Sequence, residues 1–79
     1  MKIQIAGPGC ARCHAVEQNV IEALTELGID ADVSKLSDPR EFAKLGIFLT
    51  PAVIVDGKVV VSGKVPTVNE LKKLISEAR

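Results

Sequence analysis

Gly9-Cys10-Ala11-Arg12-Cys13 contains both cysteines of this 79-residue chain, separated by two residues. A short apolar run precedes the stretch, and an amphipathic helical pattern follows it. Residues three positions apart on a helix lie close together on one surface. Two thiols at this spacing can therefore close a small disulfide ring or bind one metal ion, and the choice between these chemistries decides the function.

The residues on either side of the cysteines predict a strand followed by a helix. Ile3 and Ile5 alternate with polar residues, and Gly7-Pro8-Gly9 ends this pattern in a tight loop. From about Ala11 the apolar positions recur at helical spacing until Gly28, a typical helix stop. These positions are Cys13, Val16, Val20, Ala23, Leu24 and Leu27.

The helical periodicity gives the two thiols different environments. Cys13 belongs to the apolar stripe, so we expect its side chain to be buried. Cys10 falls at or just before the first turn, where side chains meet solvent and unpaired backbone N–H groups point outward. We therefore expect one accessible thiol and one shielded thiol.

The remaining chain predicts a second strand, a short helix, a hairpin and a final helix. Alternation over residues 29–34 is typical of a strand near a sheet edge. In Asp38-Pro39-Arg40-Glu41, Asp38 is the expected helix cap and Glu41 is expected to reach back to it, and Gly46 ends this helix. Asp56-Gly57-Lys58 separates two valine-rich runs, which indicates a hairpin.

The last helix is marked by a capping box, and the strand before the hairpin by a proline. Thr67-Val68-Asn69-Glu70 is a capping box, which marks the start of the last helix. Pro51 lacks an N–H, so it can only open or flank its strand. The order strand, helix, strand, short helix, strand, strand, helix predicts an α/β fold. We expect residues 1–79 to form one domain, a four-stranded mixed sheet with helices on both faces.

Composition and charge exclude several classes of protein. Ten basic and ten acidic residues cancel, and two phenylalanines are the only aromatic residues, so nucleic acid is not an expected partner. No apolar run approaches the roughly 18 residues that span a bilayer, and the first residues lack a signal-peptide core. We therefore expect a cytoplasmic protein without a membrane partner. We also expect a monomer, because the chain is neutral and has no spare apolar stripe. In that reducing compartment a cysteine pair is more often catalytic or metal-binding than structural.

The cysteine motif at the start of the first helix and Thr50-Pro51 at the start of the third strand resemble the thioredoxin fold in its minimal, glutaredoxin-sized form. Residues 9–13 and residues 50–63 together are similar to the family of small microbial redox-active disulfide proteins. This resemblance implies a thiol–disulfide oxidoreductase, an electron carrier in cell redox homeostasis. Cys10 would attack, Cys13 would resolve, and their disulfide would be the redox group, without another cofactor or metal.

The resemblance also implies the rest of the site and its partners. Thr50-Pro51 would have a cis peptide bond beside the disulfide, and backbone groups near Thr50 would bind an extended substrate segment. The partners would be a protein disulfide and an upstream reductase or a glutathione-like thiol. A free thiol has a pKa of about 8.5, and we expect the helix N-terminus and Arg12 to favour the Cys10 thiolate. The alternative for Arg12 is a solvated surface charge.

Other functions of the cysteine pair remain open. A heavy-metal module binding copper or zinc is the main alternative, although such domains end on a strand and residues from Thr67 onward predict a helix. A c-type haem site is disfavoured, because His14 is the only histidine and Met1 the only methionine. A structural cysteine pair and a non-catalytic interaction domain are the remaining alternatives.

Overall fold

The computed structural model describes residues 1–7 and 11–78, so the expectations for Cys10 lie outside the described residues. The elements follow the predicted order. They are β1 (Lys2–Ala6), α1 (Ala11–Leu27), β2 (Asp32–Leu36), α2 (Pro39–Leu45), β3 (Ala52–Val55), β4 (Lys58–Ser62) and α3 (Val68–Ala78).

The strands form one four-stranded mixed sheet in the order β2-β1-β3-β4. β1 runs parallel to β2 and antiparallel to β3, and β3 runs antiparallel to β4. α1 connects the parallel pair, as a crossover between parallel strands requires. The predicted α/β class and the mixed sheet are confirmed, and β2 lies at an edge of the sheet.

The second strand begins later than the sequence pattern predicts, at Asp32 instead of Ile29. The helix end explains the difference. Gly28 adopts a φ of 67° and the Ile29 amide donates to the Leu24 carbonyl at 3.1 Å, so these residues close α1. Pairing with β1 starts at Asp32, whose amide donates to the Met1 carbonyl at 3.0 Å.

The short helix α2 begins and ends as predicted, except for the expected contact between Glu41 and the helix cap. The Asp38 carboxylate accepts a hydrogen bond from the Arg40 amide at 2.9 Å, and Gly46 ends the helix with a φ of 75°. The expectation that Glu41 reaches back to the cap is wrong. Its carboxylate instead accepts a hydrogen bond at 3.3 Å from Lys44, three residues further along the helix, because the lysine ammonium is a charged donor within reach.

Apolar residues cover both faces of the sheet. On one face α1 and α3 pack on the strands, and on the other face α2 and the segment after it do so. All four residues of β3 are buried, because β3 is a central strand between these two layers. The hairpin after β3 turns at Asp56 and Gly57 with φ angles of 49° and 85°, as a type I′ turn requires.

The predicted capping box at the start of α3 is present. Thr67 Oγ1 accepts a hydrogen bond from the Glu70 amide at 3.1 Å, and Glu70 Oε1 accepts one from the Thr67 amide at 3.3 Å. Lys64 Nζ also donates to Glu70 Oε2 at 2.6 Å. The hydrogen bond from Lys64 and then that from the Thr67 backbone lower the pKa of the Glu70 carboxyl.

This lowered pKa predicts a pH-dependent contribution to stability. A carboxyl whose pKa is lower in the folded state stabilises the fold above its unfolded-state pKa of about 4.3 and loses that contribution as pH falls through the folded-state pKa. We expect Glu70→Gln to be less stable than wild type at neutral pH, with the difference shrinking below about pH 4.3. Urea denaturation at several pH values measures it. Glu77→Gln, an exposed position in the same helix, is the control, and a difference independent of pH would contradict the prediction.

Candidate active site

The Cys13 thiol lies against the backbone at the end of β1. Cys13 is in the first turn of α1 and is only 7% exposed, as the apolar stripe predicts. Its Sγ faces Gly7, where an added Cβ would overlap the sulfur and would lie 3.4 Å from Cys13 Cβ. A glycine is therefore needed at position 7, because any side chain there would displace the thiol.

The strand register places Pro51 beside Gly7. Ala6 pairs with Ala52 across the antiparallel strands, so the next position on β1 faces the residue before β3. Ile5 and Val53 pack on the α1 face of the sheet, and side chains alternate along a strand, so Gly7 and Pro51 belong to that face too. Pro51 is fully buried, and its peptide bond with Thr50 is cis.

The loop that carries Thr50 and Pro51 is held by the end of β4. The Gly63 amide donates to the Pro51 carbonyl at 2.9 Å, and Ser62 Oγ donates to the Leu49 carbonyl at 3.0 Å. Gly63 has a φ of 80°, and a Cβ there would lie 2.9 Å from Leu49 Cβ. Thr50 is half-buried. Hydrogen bonds from two adjacent residues therefore hold the backbone on either side of Thr50.

This loop also exposes two large apolar side chains. Phe48 is 90% exposed and Leu49 is 65% exposed, whereas the preceding Ile47 is buried. Sequence reasoning missed them, although an apolar run immediately before a site proline was a signal that could have found them. Exposed apolar side chains that lie together often mark a contact surface for another protein.

A small cavity adjoins the thiol. It has a volume of about 70 Å³ and is lined by Ile5, Gly7, Cys13, His14 and Lys35. A larger open groove, of about 530 Å³, lies at the other end of the sheet around the β3–β4 turn and the end of α3. The cavity at Cys13 is the one that concerns the thiol chemistry.

The other predicted site residues are distributed as follows. Arg12 and His14 are both exposed on the first turn of α1. The structure places Cys13 and Pro51 at the same end of the sheet, whereas Cys10, the other member of the cysteine pair, lies outside the described residues.

Within residues 1–7 and 11–78, no group of three His, Cys, Asp or Glu side chains could hold a metal ion. In the same ranges, no helix combines the length and the apolar character needed to cross a bilayer.

The contact between Gly7 and Cys13 predicts the effect of one added methyl group. Gly7 does not adopt a positive φ, so Gly7→Ala introduces overlap with Sγ without backbone strain. We expect it to lower the free energy of unfolding by about 1–3 kcal/mol in urea denaturation under reducing conditions. In a Cys13→Ala background the sulfur is absent, so the added methyl should cost much less. An equal cost in both backgrounds would contradict the assigned contact.

Comparisons with known proteins agree with this architecture. The family model of the thioredoxin domain matches residues 1–76. A thioredoxin from Methanothermobacter thermautotrophicus is 42% identical over 76 residues, which cover 96% of this chain and 99% of the relative. A thioredoxin from Methanocaldococcus jannaschii is 44% identical over 71 residues, which cover 90% of this chain and 81% of the relative. The chain belongs to the thioredoxin-like family.

Proposed function

We propose that this protein is a dithiol–disulfide oxidoreductase in which Cys10 attacks a substrate disulfide and Cys13 resolves the intermediate. The thioredoxin family supports thiol–disulfide exchange as the general activity. The observation that carries the assignment of Cys13 is its burial against Gly7, at the sheet end that also holds Pro51. A shielded thiol cannot meet a large substrate first, so it suits the second step.

The proposed reaction has two exchange steps. In the first, the Cys10 thiolate attacks one sulfur of the substrate disulfide, forms a mixed disulfide and releases one substrate thiolate. In the second, Cys13 loses its proton and attacks Cys10 Sγ, forming the Cys10–Cys13 disulfide and releasing the second substrate thiolate. The protein thus loses two electrons, which the substrate gains. An upstream reductase or a glutathione-like thiol returns them.

The α1 N-terminus favours the thiolate needed for the first step. The first backbone N–H groups of a helix have no intrahelical partners and attract negative charge. Arg12 adds a cation to the same turn, and its exposure leaves it free to face an incoming partner. Its effect is modest, because solvent screens exposed charges.

We propose a protein as the substrate, since Phe48 and Leu49 offer it an exposed apolar surface beside Thr50 and Pro51. An extended segment of the partner could pair with the backbone near Thr50 while its side chains cover Phe48 and Leu49. A small thiol would gain little from this surface. A protein disulfide is therefore the favoured substrate. In this proposal the protein is a cytoplasmic monomer that donates the two electrons to that disulfide.

Cysteine variants test the order of the two steps. We expect wild type to catalyse the reduction of insulin disulfides by dithiothreitol, Cys10→Ser to be inactive, and Cys13→Ser to accumulate a mixed disulfide detectable by mass spectrometry. Activity in Cys10→Ser, or no mixed disulfide in Cys13→Ser, would contradict the assigned roles. Tight equimolar copper(I) binding together with no reductase activity would identify a metal-binding module instead.

Phe48→Ala tests the apolar surface. Burial of a phenylalanine side chain contributes about 1.5–3 kcal/mol, so its loss should raise KM for a protein disulfide about ten- to a hundredfold with little change in kcat. The reaction with a small aromatic disulfide should not change, and neither should stability, because Phe48 is 90% exposed. Ile21→Ala, which truncates a 45% exposed apolar side chain on α1, is the matched control. An equal effect on both substrates would contradict a docking role.

A further inference from the structure

A serine hydroxyl at the end of β4 binds the loop that precedes β3. Ser62 Oγ donates to the Leu49 carbonyl at 3.0 Å, although the two residues are 13 positions apart. In the antiparallel register Ser62 pairs with the first residue of β3, so it lies beside the point where the loop enters that strand. The Gly63 amide, next along the chain, donates to the Pro51 carbonyl at 2.9 Å. Thr50 is therefore placed between two anchored carbonyls.

The hydrogen bond from Ser62 fixes the direction of the next backbone N–H. A peptide unit is planar, and in its trans form the carbonyl and the following N–H point in opposite directions. The peptide bond between Leu49 and Thr50 is trans. The Thr50 N–H therefore points away from the hydroxyl that holds the Leu49 carbonyl.

This N–H is not used within the described part of the fold. The Thr50 amide donates no hydrogen bond within residues 1–7 and 11–78, whereas the carbonyls of Leu49 and Pro51 both accept one. A backbone N–H without a partner can pair with an extended segment of another chain. Thr50 is half-buried, so the direction of its N–H decides whether such a segment can reach the donor.

The Leu49 side chain restrains the same peptide. A Cβ at Gly63 would lie 2.9 Å from Leu49 Cβ and 3.0 Å from its Cδ1, so Leu49 packs directly on the Gly63 backbone. This contact holds the side chain of Leu49, and the Ser62 hydroxyl holds its carbonyl. A loop that is oriented before binding loses less conformational entropy when a partner segment binds.

We propose that Ser62 is a positioning residue for the substrate. Its hydroxyl orients the Leu49–Thr50 peptide so that the Thr50 N–H donates to a backbone carbonyl of the partner's extended segment. This inference rests on the proposed function. Ser62 acts through the loop and takes no part in the exchange of thiols. It should therefore matter for protein disulfides, which have a backbone to bind here, and not for small aromatic disulfides, which have none.

Steady-state kinetics with two substrates test this role. We expect Ser62→Ala to raise KM for insulin disulfides about two- to tenfold, the range for loss of one such hydrogen bond, with kcat nearly unchanged. The reaction with a small aromatic disulfide should not change. Ser62→Thr retains a hydroxyl, so it should restore most of the wild-type KM.

Thr25→Ala is the matched control. Thr25 Oγ1 donates to the Ile21 carbonyl at 2.9 Å on the exposed surface of α1, so this variant removes the same kind of hydrogen bond away from the loop. It should leave KM unchanged for both substrates. Urea denaturation of the two alanine variants checks that both are folded under the assay conditions.

Hydrogen exchange of the Thr50 amide, followed by NMR, reports the proposed bond directly. Cys13→Ser in the full chain would hold a short cysteine peptide as a mixed disulfide on Cys10. We expect the Thr50 amide to exchange at least about tenfold more slowly in this complex than in the free variant. Adding Ser62→Ala should remove most of that protection, and adding Thr25→Ala should not.

Several results would overturn the inference. An unchanged KM for insulin in Ser62→Ala, or an equal change for both substrates, would show that the hydroxyl orients no substrate-binding group. The same holds if Ser62→Thr is as defective as Ser62→Ala. A Thr50 amide that gains no protection in the mixed disulfide would show that it does not bind the peptide. If Cys13→Ser forms no mixed disulfide at all, the proposed exchange function fails, and this inference with it.

Discussion

The packing of Cys13 Sγ on Gly7 is the contact on which the site depends. α1 must approach the end of β1 closely for its first turn to bury a thiol, and only a residue without Cβ permits that approach. Val16 and Val20 continue the same helix face into the core, so the depth of Cys13 is set by the packing of the whole helix. A hydrogen bond also joins α1 to the segment before α3, because the Asn19 side-chain amide donates to the Pro66 carbonyl at 2.9 Å.

The antiparallel pairing of β1 with β3 gives the thiol its neighbours. Because Ala6 pairs with Ala52, the start of β3 meets the end of β1, although the two segments are far apart in sequence. The Ser62 side chain, at the end of β4, and the following Gly63 amide then hold the Leu49 and Pro51 carbonyls. The site is therefore assembled from backbone geometry as much as from side chains. A loop fixed in this way can display Phe48 and Leu49 to a partner without first becoming ordered, which lowers the entropic cost of binding.

Local signals predicted most of the elements. The Thr67 capping box and the Asp56-Gly57 turn are set by residues within a few positions of each other, and the structure contains both. The errors arose where two local patterns competed. Ile29 alternates like a strand residue, but its amide closes α1 instead. Glu41 matches a capping position, but its carboxylate pairs with Lys44, three residues along the helix, instead of with the cap.

Local sequence patterns are enough to predict the order of the elements, the α/β class and the division of α1 into a buried stripe that includes Cys13 and exposed faces. Hydrophobic period, caps and turn residues are local properties, so they can be read without the fold. Three features follow only from the packed fold: Gly7 lies under the thiol, Phe48 and Leu49 remain in solvent, and Lys35 pairs with Glu17. Each of these depends on strand register and helix packing, which bring together residues that no local pattern relates.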